Sequence, residues 1–206
     1  MATYKFKDAV KTGKEKGGFE EGTKIAVLAY HAKTEAGTAE IAEAVHEKSP
    51  SSMYVFKGNR VASTKVTHTH SDKLKSLVKE AETAVSVHGY KNKKGVDNNV
   101  IYVSGQHGKL SSKIAKELQK NFGDNYHIET NPDYIPKHLQ GKSDYNIVNK
   151  FEKGGVQIEL PEKLRKQEKD RQIVGDSISN VVNQYNEGKV LKYEKKDEKK
   201  DYKKAV

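Results

Sequence analysis

The stretch from Ile25 to Val45, IAVLAYHAKTEAGTAEIAEAV, restricts the possible folds of this chain more than any other. Its first five residues are apolar without interruption, as in a strand buried on both faces, and Tyr30-His31 ends the run abruptly. Gly37 marks a turn, Thr38 is placed as an N-cap, and Glu40 falls in the first turn of a helix whose apolar positions are Ile41, Ala42 and Val45. A doubly buried strand needs parallel neighbours and helices on either face, so the unit predicts more of its kind downstream.

The pattern recurs along the chain. Met53–Phe56 reads as a short strand closed by Gly58, and Val66–His70 (VTHTH) as an edge strand. Ser71 caps a helix from Asp72 to about Glu82, and the strand Ala84–Val87 ends at His88-Gly89. Val100–Val103 is a strand, a helix runs from about Lys109 to Phe122, and Tyr126–Thr130 is a further strand. The irregular segment Asn131–Asn149, broken by Pro132, Pro136 and Gly141, is long enough to border an active site. Val156–Leu160 is a strand stopped by Pro161, and Ile173–Tyr185 is the last amphipathic helix. The Gly- and Lys-rich residues before Ile25 read as loops around a short helix at Tyr4–Val10. The expectation is a single α/β domain over 1–188, with 1–22 as an extension packed on it or loose. Its mixed, mostly parallel sheet has six to eight strands flanked by helices, and 189–206 forms a Lys-rich flexible tail.

Composition narrows the partners. The net charge of +10, from 38 Lys and Arg against 28 Asp and Glu, favours a polyanion: nucleic acid, an anionic membrane or an acidic polymer. Much of the excess is dispersed lysine, which also reads as ordinary solvated surface. With Arg60, Arg165 and Arg171 as its three arginines, the chain is poorly equipped to read base edges, which counts against nucleic acid. No run approaches the ~18 apolar residues of a membrane span, and the N-terminus has no apolar signal core. The expectation is therefore a soluble protein made in the cytoplasm without a signal peptide. With no cysteine, thiolate and disulfide chemistry are excluded, and any metal site must be built from His and carboxylates.

Among eight histidines, His31 and His88 stand apart because each directly follows an apolar strand run, and ligands of open α/β sheets bind outside the carboxyl ends of strands. Glu35, four residues after His31, can reach the same centre from a helical turn or from a loop. His, Glu and His make three protein ligands with a fourth position open, the arrangement of catalytic zinc. The competing reading makes His31 a hydrogen-bonded strand-end residue and His88 a turn residue before Gly89. Glu159, inside the run VQIEL, has two readings as well. It shares with Gln157 either a solvated strand face or, at the mouth of a site, the role of a general base.

Four blocks together resemble the poly-γ-glutamate hydrolase family of phages and prophages: Ile25–Val45, Met53–Gly58, Ala84–Gly89 and Tyr145–Arg165, in order over roughly residues 20 to 185. The resemblance implies a zinc-carboxypeptidase-like fold and a zinc-dependent, metallopeptidase-like hydrolase. Such an enzyme cuts the γ-glutamyl amide bonds of poly-γ-glutamate, endo-acting, as a monomer, outside the cell after phage lysis, in capsule degradation. His31, Glu35 and His88 match the zinc ligands and Glu159 the general base. Lys57, Arg60 and Arg165 are candidates for binding substrate carboxylates, and Asn146 and Asn149 for orienting substrate. One departure stands out: Ala32-Lys33 occupies a place where the family has glycines, which bears on the conformation of that loop. The alternatives are a zinc amidase of another γ-glutamyl or cell-wall peptide, a basic phage nucleic-acid-binding protein, and a non-catalytic relative that only binds acidic polymer.

Overall fold

The computed structural model describes residues 14–58, 71–91 and 97–192. The expected strand at Val66–His70, the helix at Tyr4–Val10, Arg60 and the tail beyond Lys192 lie outside them.

Seven strands form one mixed sheet. They are β1 (Glu15–Gly18), β2 (Ile25–Ala29), β3 (Ser52–Phe56), β4 (Thr83–Tyr90), β5 (Val100–Gly105), β6 (His127–Glu129) and β7 (Gly155–Pro161), in the order β1-β3-β2-β4-β7-β5-β6. The four central strands β3, β2, β4 and β7 are mutually parallel. β1 is antiparallel to β3, and β5 runs antiparallel to β7 while pairing in parallel with β6. The helices are α1 (Thr38–Lys48), α2 (Asp72–Glu80), α3 (Gly108–Phe122), α4 (Glu162–Lys166), α5 (Glu168–Asn186) and the short α6 (Lys189–Lys192). None of the described helices is long and apolar enough to cross a membrane.

Strand alternation divides the core in two. Ile25, Val27, Ala29, Val85, Val87, Ile101, Val103, Val156 and Ile158 pack on one face beneath α1, α3 and α5. On the other face, Leu28, Tyr30, Tyr54 and Phe56 pack under Leu74 and Leu77 of α2, and Tyr90, Val100 and Tyr102 pack under Ile135 and Leu139 of the irregular segment. Between these two apolar patches the second face is polar.

Four sequence expectations change. β1 forms where only loops were expected, held by pairing with β3. At Gly17 (φ 106) a Cβ would lie 2.0 Å from Met53 O, so only glycine fits. Gly37 (φ 94), not Thr38, is the cap residue of α1, and the Thr38 hydroxyl instead donates to Glu35 O at 2.8 Å. β4 runs on through His88 and Gly89 to Tyr90, so His88 lies in a strand rather than after one. α5 begins at Glu168, ahead of the expected Ile173.

Candidate active site

β2 and β4 are neighbours whose outgoing connections diverge. β2 leads through α1 to β3 on one side, and β4 leads away to β5 on the other. The crevice at their carboxyl ends is therefore a topological switch point, where open α/β sheets bind ligands. His31 leaves β2 there, and Glu35 N–H donates to His31 O at 2.8 Å, closing one helical turn that stacks the two side chains on one side. Among the described residues no non-glycine residue has a positive φ, so Ala32 and Lys33 make this turn in ordinary backbone conformations.

The Glu35 carboxylate bridges the two imidazoles. Oε1 lies 2.9 Å from His31 Nδ1, and Oε2 lies 3.2 Å from His88 Nδ1 and accepts from Gly89 N–H at 2.9 Å. All three residues are buried, and the ring of Tyr30 packs 5.4 Å from that of His88. Burial alone would raise the Glu35 carboxyl. The hydrogen bonds and charge of His31 and His88 outweigh it and hold the group far below the usual carboxylate range, so it is ionised. The donor atoms of the three lie within 4.8 Å of one another. Two imidazoles and a carboxylate fit a divalent cation of the zinc type, which would replace the protons now shared in these contacts.

Glu159 stands beside this cluster, because His88 on β4 pairs in register with Glu159 on β7. Their side chains leave the same face of the sheet from strands ~4.8 Å apart. Glu159 is 6% exposed, so the strand face it shares with Gln157 is not solvated. The irregular segment covers it. Gln157 Nε2 donates to Glu159 Oε1 at 2.9 Å and to Leu139 O at 3.3 Å, while Gln157 Oε1 accepts from Asn146 Nδ2 at 2.8 Å. Two buried amides thus fix the orientation of the carboxylate.

The family model for poly-gamma-glutamate hydrolase matches residues 15–184. The chain belongs to the poly-gamma-glutamate hydrolase family. A bacteriophage poly-gamma-glutamate hydrolase has a similar structure, with a TM-score of 0.70 and 21% identity over 90% of this chain and 98% of that one. YNDL, in an apo, zinc-free form, has a TM-score of 0.64 and 25% identity over 85% of this chain and 94% of its own. The N-acetylmuramyl-L-alanine amidase Ami1 from Mycobacterium smegmatis shares the fold at a TM-score of 0.53, with 12% identity over 80% and 97% of the two chains. No curated protein matches the chain.

In this member of the poly-gamma-glutamate hydrolase family, the remaining candidate residues fall in different places. Arg165 is 5% exposed, and its guanidinium donates to three carbonyls: Nη1 to Ala36 O at 2.7 Å, Nε to Leu160 O and Nη2 to Tyr90 O, each at 3.2 Å. It ties together the Glu35 turn and the ends of β4 and β7. Burial lowers its pKa below the ordinary value, partly offset by the charges of Glu35, Glu162 and Glu159. Asn146 belongs to the amide pair described above, and Asn149 Nδ2 donates to Gly141 O and Ser143 O, holding the segment closed. Lys57 lies at the end of β3, 3.9 Å from Glu43 of α1, the helix on the opposite face from Glu159. The sequence reading missed Gln157 as a partner of Glu159. The only signal was its position two residues away on the same strand face.

Proposed function

We propose that this chain is a zinc-dependent, endo-acting hydrolase of the γ-glutamyl amide bonds of poly-γ-glutamate. The observation that carries this reading is the placement of the buried His31/Glu35/His88 cluster at the switch point with Glu159 as the register partner of His88. The family membership supplies the substrate class, and the zinc-free form of a structural neighbour supports zinc as the metal.

His31, Glu35 and His88 would hold the ion, which when bound supplies Lewis acidity to the scissile carbonyl and to water. Glu159 takes a proton from the attacking water and delivers it to the leaving nitrogen, so one carboxylate serves as base and then as acid. Gln157 keeps one carboxylate oxygen engaged and so limits its rotation. Arg165 keeps the two strand ends and the Glu35 turn in register. The net charge of +10 favours encounter with a polyanionic polymer. The likeness to a bacteriophage enzyme motivates placing this chain among phage or prophage products that strip a poly-γ-glutamate capsule.

The test is to incubate the purified protein with poly-γ-glutamate, with zinc or with a chelator, and follow polymer size by chromatography. Rapid shortening with zinc, abolished by chelation, is expected. Polymer left at full length under both conditions overturns the substrate assignment.

A further inference from the structure

Beyond Glu159 along β7 the irregular segment and the strand form an open cavity of about 220 Å³. Its floor is the buried amide pair Asn146 and Gln157, and Lys137, His138 and Lys142 line its exposed side. Among the described residues no acidic side chain lines it. Among the described residues neither Lys137 nor Lys142 is in an ion pair, and Asn146 spends one of its two amide N–H groups on Gln157. Gly141 (φ 63) lets the loop lie on the floor, since a Cβ there would come within 2.6 Å of Gln157 Cβ. The loop is pinned from both sides, by Asn149 bonding to Gly141 O and by the Ser104 hydroxyl bonding to Gln140 O. A cavity with cationic walls, an amide floor and no carboxylate is suited to a small anion. Its floor is one hydrogen bond from Glu159.

We propose that this cavity is a carboxylate subsite that takes the free α-carboxylate of a glutamate residue adjoining the bond to be cut. Every residue of poly-γ-glutamate carries such a group, because the chain is linked through the side-chain carboxyl. Gln157 lies two residues from Glu159 on the same strand face, an offset of about 6.6 Å, so the floor of the cavity adjoins the carboxylate that does the proton transfer. This inference rests on the reading of the polymer as substrate and of Glu159 as the base. It adds a fixed register along the polymer, set by Lys137 and Lys142, in place of general attraction to a basic surface.

The experiment compares two double variants of equal charge. K137Q/K142Q removes the cavity lysines, and K116Q/K169Q removes two exposed lysines on α3 and α5, on the opposite face of the sheet. Binding of fluorescent poly-γ-glutamate is measured by anisotropy in the Glu159→Gln background, and kcat and KM are measured with Glu159 intact. The cavity pair is expected to weaken binding and raise KM roughly tenfold with kcat within about twofold, and the control pair to change either by less than about twofold. Equal effects of the two pairs, or no effect of the cavity pair, overturn the subsite. Failure of the wild-type protein to cleave the polymer would instead overturn the functional reading. The anisotropy comparison still decides the subsite in that case.

Discussion

His88 and Glu159 are directly paired across β4 and β7, and this register brings an imidazole of the candidate metal cluster and a carboxylate side by side on one sheet face. The pair places the proposed proton-transfer group next to the cluster without any loop having to close. A one-residue slip between β4 and β7 would send one of the two side chains to the helix-covered face. The contacts that hold this register and orient these side chains are therefore where substitutions should tell most.

Gln157→Leu removes the donor to Glu159 Oε1 while keeping most of the side-chain volume. The Asn146 amide then loses its acceptor, at a cost of about 1–3 kcal/mol of stability. Because Glu159 remains, kcat should fall on the order of tenfold rather than vanish, with metal content unchanged. Steady-state kinetics on poly-γ-glutamate together with metal analysis check this.

Arg165→Lys keeps a charge but cannot span Ala36 O, Leu160 O and Tyr90 O with one fork. The expected loss is about 2–4 kcal/mol, from buried carbonyls left without donors, together with weaker metal binding as the Glu35 turn loosens. Gly89→Ala should act through the same group, since a Cβ there would lie 2.2 Å from Arg165 Nε. Urea denaturation of the two single variants and the double variant should give a combined loss smaller than the sum of the two. Strict additivity would contradict the shared cause.

His107 caps α3, its Nδ1 accepting from Leu110 N–H at 3.3 Å. Burial, with the charges of Lys153 and Lys109, holds its pKa below the ordinary 6.5. A folded-state value below the unfolded one means the stabilisation is complete above 6.5 and is lost as pH falls through the depressed value, where protonation destroys the acceptor. His107→Asn, a good cap that does not titrate, should flatten the decline in urea midpoint below pH 6.5, a change of about 1 kcal/mol. An unchanged acid slope would assign the decline to other groups, such as Glu82, whose lowered carboxyl acts below its ordinary 4.5.

The elements built on strong periodicity were legible from the sequence. β2 is a continuous apolar run, and α2 and α3 show apolar residues at helical spacing with Ser71 as a true cap for α2. β1 was not legible, because Glu15–Gly18 carries no apolar alternation and exists by pairing with β3. The first turn of α5, Glu168 to Arg171, is wholly charged and gives no amphipathic signal. Gly89 looked like a break at the end of β4, yet it lies inside the strand, paired with Leu160, and glycine is needed there because Arg165 crosses over it. His31 was singled out because it directly follows the β2 run, where α/β sheets bind ligands, whereas His88 was singled out as a strand-end residue and lies inside β4. The segment Asn131–Asn149 was legible as a border of a site, but not the way Leu139, Gly141 and Asn146 cover Gln157 and Glu159, because the segment has no repeating pattern. Arg165 was read as a substrate contact, and its three carbonyl partners are set by tertiary packing that local sequence does not encode.

In the proposed mechanism one cluster binds a metal and a separate carboxylate moves the proton. The most direct measurement is zinc content per chain and poly-γ-glutamate chain length after incubation, for the wild-type protein and for Glu159→Gln side by side. About one zinc per chain is expected in both, with the polymer shortened by the wild type and hydrolysis slowed by roughly 10²–10⁴ in the variant. A variant that loses the metal along with the activity, or that cleaves at the wild-type rate, would contradict it.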